Sequence, residues 1–121
     1  DLSGPLRMAT VPSQLTTPLA IACADMLKAE RSLAVALVVI TGLLGSNFGA
    51  GLMSWLRVRS PVARGLTMGA TAHGLGTAAL SQSEPEAFPF SAVSMALVGT
   101  LSTVLVSLQP VRAALFKLAG L

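Results

Sequence analysis

The stretch Gly69–Thr77 reads GATAHGLGT and contains the only histidine of the chain, His73. No charged residue occurs between Arg64 and Glu84, so this histidine lies within a run of nearly bilayer length. A titratable ring is costly in hydrocarbon and usually serves a function there. The glycines that follow it favour a break in the helix near Gly74–Gly76. This combination is typical of a transport or ion site.

The composition indicates a membrane protein. Of the 121 residues, 53% are hydrophobic and only 11% are charged, and the mean hydropathy is +0.75. Soluble domains carry about 25% charged residues. The formal net charge of +3 comes from basic residues dispersed at the ends of apolar runs, and aromatic residues make up 4% of the chain. The sequence therefore predicts no nucleic-acid partner.

Four uncharged runs follow one another, at residues 8–24, 32–56, 65–83 and 87–111. A helix of about 20 residues spans a bilayer core, so the second and fourth runs are long enough, whereas the first and third are marginal and contain helix breakers. We predict an all-α membrane protein with about three transmembrane helices and a short half-helix. Breaks are expected near Thr16–Pro18 and Gly74–Gly76.

The expected organisation is a single membrane domain over residues 1–121. It comprises an irregular segment over 1–13, a half-helix over 18–29, and transmembrane segments over 33–56, 61–83 and 87–108. A threonine before Pro18 is expected to cap the half-helix. Basic residues after the first span and the acidic Glu84–Glu86 loop predict that these two loops lie on opposite sides of the membrane.

Small residues in the first full span predict close helix packing. Gly42, Gly45 and Gly49 recur at helical spacing on one face, and such faces let another helix approach. Asn47 lies among them, and its amide needs a partner in a membrane. It either lines a transport pathway or forms a hydrogen bond between helices.

The histidine segment, taken as one helix from Pro61, has a specific polar face. Gly65, Gly69, His73 and Thr77 follow one another at steps of four residues, and Gly76 joins them. A helix that restarts at the glycines would present N–H groups and a positive dipole end to an anion. The break at Thr16–Pro18 offers a second such helix start.

The histidine, the threonine hydroxyls and the N–H groups at helix starts suit a small carboxylate or hydroxycarboxylate, with or without a proton carried by the histidine. The predicted substrate-binding residues are Thr16, Thr17, Pro18, Asn47, Thr71, His73, Gly74, Gly76 and Thr77. A purely structural hydrogen bond is the alternative for His73. Arg64 is interpreted as a topology or headgroup charge, with a substrate ligand as the alternative. The apolar runs contain no acid and no Ser–His–Asp constellation, so we expect no catalytic residue, metal or cofactor.

Five stretches resemble the LrgB/CidB-type membrane proteins. The stretches TTPLA, VITGLLG, ARGL and GATAHGLGTA occur in the order found in that family, and EAFPF is closer to its plant and algal members. They lie at Thr16–Ala20, Val39–Gly45, Ala63–Leu66, Gly69–Ala78 and Glu86–Phe90. The resemblance covers most of the chain and implies that it is the C-terminal part of a larger membrane unit.

The resemblance to the plant members implies transport of glycolate and glycerate across the chloroplast inner envelope during photorespiration, by exchange or proton coupling. The resemblance to the bacterial members implies instead an antiholin-like regulator of murein hydrolase activity in a bacterial membrane. A structural subunit of a larger membrane assembly is a third hypothesis. The expected partners are the lipid bilayer, a small carboxylate, protons, and either further copies of the chain or the N-terminal half of the same protein.

Overall fold

The computed structural model describes residues 3–120, and every regular element among them is helical. The predicted all-α class is thus confirmed. Seven α-helices, a 3₁₀ turn and a π-helical turn follow in order: α1 Gly4–Met8, the 3₁₀ turn Val11–Gln14, α2 Thr17–Met26, α3 Arg31–Leu44, the π turn Gly45–Gly49, α4 Ala50–Trp55, α5 Pro61–Ser83, α6 Phe88–Ser107 and α7 Gln109–Leu118.

Two stretches of the described residues are long and apolar enough to cross a membrane. One is the continuous helix Arg31–Trp55, formed by α3, the π turn and α4, and the other is α6, Phe88–Ser107. Large apolar side chains such as Phe48, Leu52 and Leu101 are exposed on them. Surfaces of this kind suit lipid or partner helices, in keeping with an all-α membrane protein.

The chain divides into two compact units. One consists of Asp1–Val38 with Gly99–Leu121, and the other of Val39–Val98. The histidine segment belongs to the second unit, together with the second half of the first span and the start of α6.

The helix α5 folds back on itself as a helical hairpin. Arg64 Nη2 lies 2.5 Å from Glu84 Oε1, and Arg64 Nε lies 2.6 Å from Glu84 Oε2. These residues are 20 positions apart. Along a straight helix they would be separated by roughly 30 Å, so the segment between them has to reverse its direction.

His73 forms the turn of the hairpin, with φ 41° and ψ −133°. The first arm covers residues 61–72 and the second arm 74–83. The two arms touch at Gly76, where an added Cβ atom would lie 2.4 Å from Ala72 Cβ and 2.9 Å from Met68 Cγ. The structure therefore contains a break in this segment, one residue before the predicted Gly74–Gly76. The role of Gly76 is close approach of the arms, since its own φ is not positive.

The hairpin corrects the predicted topology. A segment over 61–83 that crosses once would place its two ends on opposite sides. Instead the Arg64–Glu84 pair holds both ends together, so the basic loop before α5 and the acidic loop after it lie next to each other. The prediction of opposite sides was wrong, because a long uncharged run fits a hairpin as well as a straight helix.

The first unit also differs from the expected pattern. Residues 4–14 form α1 and the 3₁₀ turn, so the segment predicted to be irregular is helical. The break near Pro18 is present, and the backbone is extended at Leu15 and Thr16. Thr16 makes no side-chain capping bond, contrary to the prediction. The helix α2 ends at Met26, shortly before Lys28 takes a positive φ of 51°, and α7 was not predicted.

Candidate functional site

The tip and the first arm of the hairpin pack against the face of the first span that Gly42, Gly45 and Gly49 form. An added Cβ atom on Gly42 would lie 2.6 Å from His73 Cε1, one on Gly45 2.1 Å from Ala72 Cβ, and one on Gly49 2.9 Å from Met68 Cε. These distances are too short for any real Cβ atom. The prediction that this face packs closely against another helix is therefore confirmed.

His73, at the tip of the hairpin, is a buried polar residue. The His73 side chain and backbone are together only 5% exposed, and its ring lies against Gly42. A positive φ is uncommon for a residue with a Cβ atom and carries strain of the order of 1–3 kcal/mol. Such strain persists only where the surrounding packing fixes it, and it is found preferentially at functional sites.

A second buried polar contact lies on the other arm. Thr77 Oγ1 is 2.8 Å from Ser91 Oγ near the start of α6, and both residues are buried. Gly69 of the first arm also packs against Ser91, because its added Cβ would lie 2.1 Å from the Ser91 carbonyl oxygen. The predicted residues Gly69 and Thr77 do converge here, but through the fold of the hairpin and not along one helix face.

Ser91 is the residue that sequence reasoning missed. It is not among the predicted site residues, and the structure shows that it is both packed, at 0% exposure, and hydrogen-bonded. Ser94, one turn later, donates to the Leu66 carbonyl at 2.8 Å. The spacing of these two serines on α6 was the available signal, since serines in a transmembrane helix often bond a neighbouring helix.

Two predicted site residues have exposed side chains that bond within their own helices. Thr71 is exposed and donates to the Thr67 carbonyl at 2.8 Å, within its own helix. Asn47 is also exposed, and its Nδ2 donates to the Leu43 carbonyl at 2.7 Å. Its amide forms a bond to its own helix, whereas a bond between helices had been one of the two predicted roles.

The remaining predicted residues belong to the first unit. Thr16 and Thr17 are half-buried at the start of α2, and Pro18 occupies its first turn. The Thr16 carbonyl accepts the first helical bond, from the Ala20 amide at 2.8 Å. This is the geometry of an ordinary helix start with uncapped N–H groups.

Arg64 is an internal ion-pair partner and not a headgroup charge, so that interpretation was wrong. It is 8% exposed. Besides its two bonds to Glu84, it donates from Nη1 to the Val58 carbonyl at 2.9 Å and from Nη2 to the Ala50 carbonyl at 3.0 Å. A buried guanidinium is stable only when it is paired in this way.

Glu84 lies in the loop after α5, outside both candidate spans. The hydrogen bonds from Arg64 lower the pKa of its carboxyl, and partial burial opposes this with a smaller effect. The carboxylate is therefore the form that the base of the hairpin stabilises. Among residues 3–120, no group of three or more His, Cys, Asp or Glu residues could hold a metal ion.

Comparisons with known proteins agree with the motifs. The LrgB-like family pattern matches residues 1–110. The plastidal glycolate/glycerate translocator 1, chloroplastic, of Arabidopsis thaliana is 42% identical over 116 residues, which cover 95% of this chain and 23% of that protein. The holin-like protein CidB of Staphylococcus aureus is 33% identical over 96 residues, covering 79% of this chain and 42% of CidB.

A third relative is the protein YxaC of Bacillus subtilis, 35% identical over 98 residues that cover 81% of this chain and 43% of YxaC. The chain thus spans less than half the length of each of these curated relatives. No solved structure matches it. Since the family pattern extends over nearly the whole sequence, the chain belongs to the LrgB-like family.

Proposed function

We propose that the chain forms part of a membrane transporter for small hydroxycarboxylates such as glycolate and glycerate, and that it acts by exchange or proton coupling. The proposed location is the chloroplast inner envelope. Support for the substrate class comes from the Arabidopsis thaliana translocator, to which 95% of this chain aligns at 42% identity. No catalytic reaction and no cofactor are part of the proposal.

The helical hairpin of α5 is the observation that carries the proposal. Backbone that turns within a membrane is tolerated where protein buries it or where it lines a cavity. Many secondary transporters bind substrates at such interrupted helices. Here the turn falls on the only histidine, with the Thr77–Ser91 contact one helical turn away.

The proposed binding residues at the tip are His73, Gly74, Gly76 and Thr77. The imidazole donates a hydrogen bond to a carboxylate or carries a coupled proton. The second arm begins after the turn, so the N–H groups of its first turn and its positive dipole end favour an anion there. Gly76 lets the second arm lie close to the first arm at this point.

The start of α2, in the other unit, is proposed by itself as a second place where an anion binds. The N–H groups that follow Thr16 and the hydroxyls of Thr16 and Thr17 are the donors there, and Pro18 fixes the first turn. Asn47 and Thr71 are left out of this set. Both residues are exposed and bond the main chain of their own helix, whereas His73 and Thr77 are buried.

The test is uptake of radiolabelled glycolate by liposomes that contain the purified full-length protein. His73→Ala and Thr17→Val are expected to lower uptake at least about tenfold, the effect of losing roughly 1.4 kcal/mol of binding. Thr71→Val is the matched control, since Thr71 is exposed, and it should transport normally. Normal uptake by both site variants would reject the site assignment.

A holin-like function is the second candidate, because the similarity to CidB covers 79% of this chain. It predicts leakage of a dye from the same liposomes without selectivity among solutes. Substitutions at Gly45 and Gly49 do not separate the two functions, since both glycines pack on the hairpin itself. A purely structural subunit would show neither uptake nor leakage and would co-purify with other subunits.

A further inference from the structure

A cavity of about 480 Å³ opens at the base of the hairpin, at the end of the arms opposite to His73. Ligand pockets for small molecules are usually about 300–1,000 Å³. Its lining includes the ion pair of Arg64 and Glu84, together with Arg59 and Glu86 from the two adjoining loops. A molecule with a few heavy atoms and one carboxylate fits this space.

We propose that this cavity is a second carboxylate-binding site, in which the carboxylate of a substrate takes the place of the Glu84 carboxylate on Arg64. The inference rests on the proposed function for the choice of substrate class. It differs from the site at the tip in residues and in position, and it assigns Glu84 the role of an internal competitor.

Arg64 is already built to hold an exchangeable carboxylate. Two of its N–H groups are fixed by the main-chain carbonyls of Val58 and Ala50, while Nε and Nη2 form a planar fork toward Glu84. The two carbonyl bonds would keep the guanidinium in place when Glu84 leaves. A planar fork of this kind suits any carboxylate that can accept two parallel bonds.

Glu84 is the more exposed partner of the pair. Its side chain is 25% exposed, compared with 10% for Arg64, and Glu84 is the first residue after the second arm. A buried guanidinium is strongly destabilised without an anion, so Glu84 can leave only when another carboxylate replaces it. Arg59 and Glu86 line the same cavity with opposite charges, so the attraction for an anion comes from Arg64 once Glu84 has left it.

The experiment measures the dissociation constant of glycolate for the purified full-length protein in detergent. In Glu84→Gln the internal competitor is gone, so glycolate should bind about tenfold more tightly than to the wild type. Glu86→Gln removes the same charge from the same cavity, and no hydrogen bond joins Glu86 to Arg64 among the described residues. It should change the affinity by no more than about twofold.

Two further variants separate the outcomes. Arg64→Lys in the Glu84→Gln background keeps the positive charge and loses the fork, and it should cancel the gain in affinity. If Glu84→Gln does not fold, Glu84→Asp keeps the charge but is one methylene too short, and a gain of about threefold is expected. Unchanged affinity in a folded Glu84 variant, or an equal gain in Glu86→Gln, overturns the inference.

The binding assay does not depend on transport. Tighter glycolate binding by Glu84→Gln, in a protein that moves no glycolate into liposomes, would support this site and contradict the proposed function. Normal uptake with an affinity that does not respond to Glu84 would do the reverse.

Discussion

Gly42 and His73 are in direct contact, since a Cβ atom added to the glycine would lie 2.6 Å from His73 Cε1 and 2.9 Å from Nε2. The first span thus holds the hairpin tip through a residue that has no side chain. The next glycine of that face, Gly45, meets Ala72 instead, with its added Cβ 3.3 Å from the Ala72 Cα. Gly42 therefore determines where the imidazole lies, and Gly45 determines how closely the two helices approach.

Replacing these two glycines by alanine should have different effects. Gly42→Ala pushes against the end of a side chain, so it should displace the His73 ring and lower glycolate uptake with little loss of stability. Gly45→Ala pushes against Ala72 Cβ and the backbone beside it, and should lower the free energy of unfolding by about 1–3 kcal/mol. Unfolding in mixed micelles of increasing SDS content, together with the uptake assay, measures both.

Gly51→Ala is the control for this pair. It lies in the same helix, and an added Cβ there meets nothing within 4 Å. Because alanine is the better helix former, this variant should be as stable as the wild type or more stable by up to about 1 kcal/mol. Equal loss of stability in Gly45→Ala and Gly51→Ala would contradict the packing explanation.

His73→Gly and His73→Ala separate the side chain from the backbone. Both lack the imidazole, so both should lose uptake. Only glycine adopts φ 41° without steric cost, so His73→Gly should be more stable than His73→Ala by about 1 kcal/mol. At Ala70, within the first arm, glycine should be less stable than alanine by a similar amount. The same order at both positions would show that the tip is not strained.

Much of the fold follows from local patterns that a sequence displays directly. The long apolar runs indicate the two candidate spans, and the spacing of Gly42, Gly45 and Gly49 indicates the packed face. The hairpin does not follow in this way. Its evidence is an ion pair between residues 20 positions apart, and a run of uncharged residues has the same composition whether it crosses the membrane or turns back.

The candidate site shows the same division. Helical stepping from Gly65 predicted that Gly69, His73 and Thr77 share one face. The turn at His73 ends that periodicity, and Gly69 and Thr77 are related only through Ser91, which both of them contact. Tertiary packing decided which polar residues meet, and no pairwise spacing in the sequence encodes it. Thr71, which was predicted for its hydroxyl and does not lie on that stepping, is exposed and bonds its own helix.

The contact of Thr77 with Ser91 should be measurable as a coupling energy. Thr77→Val and Ser91→Ala each remove one partner of a buried hydrogen bond of 2.8 Å. In a double-mutant cycle the coupling should be about 0.6 kcal/mol and at most about 1.7 kcal/mol, the range for such bonds between membrane helices. Thr71→Val combined with Ser91→Ala should be additive, because Thr71 bonds its own helix. Additivity in both cycles would exclude a stabilising Thr77–Ser91 bond.

The ion pair at the hairpin base should make stability depend on pH in one direction. Hydrogen bonds from Arg64 lower the pKa of Glu84 in the folded protein, compared with about 4.3 in an unfolded chain. The unfolded state therefore binds the proton more readily. The contribution of the pair is complete above the unfolded value and is lost as the pH falls through the lower folded value.

Thermal unfolding between about pH 3 and pH 7 tests this dependence. The Tm of the wild type should fall at the acid end, whereas Glu84→Gln should start lower, by the equivalent of about 1–3 kcal/mol, and change less with pH. Glu86→Gln, which removes a nearby carboxyl without touching the pair, should keep the acid decline of the wild type. If Glu84→Gln and Glu86→Gln gave parallel curves, the decline would arise from other carboxyls, and the Arg64–Glu84 pair would not be what holds the hairpin closed.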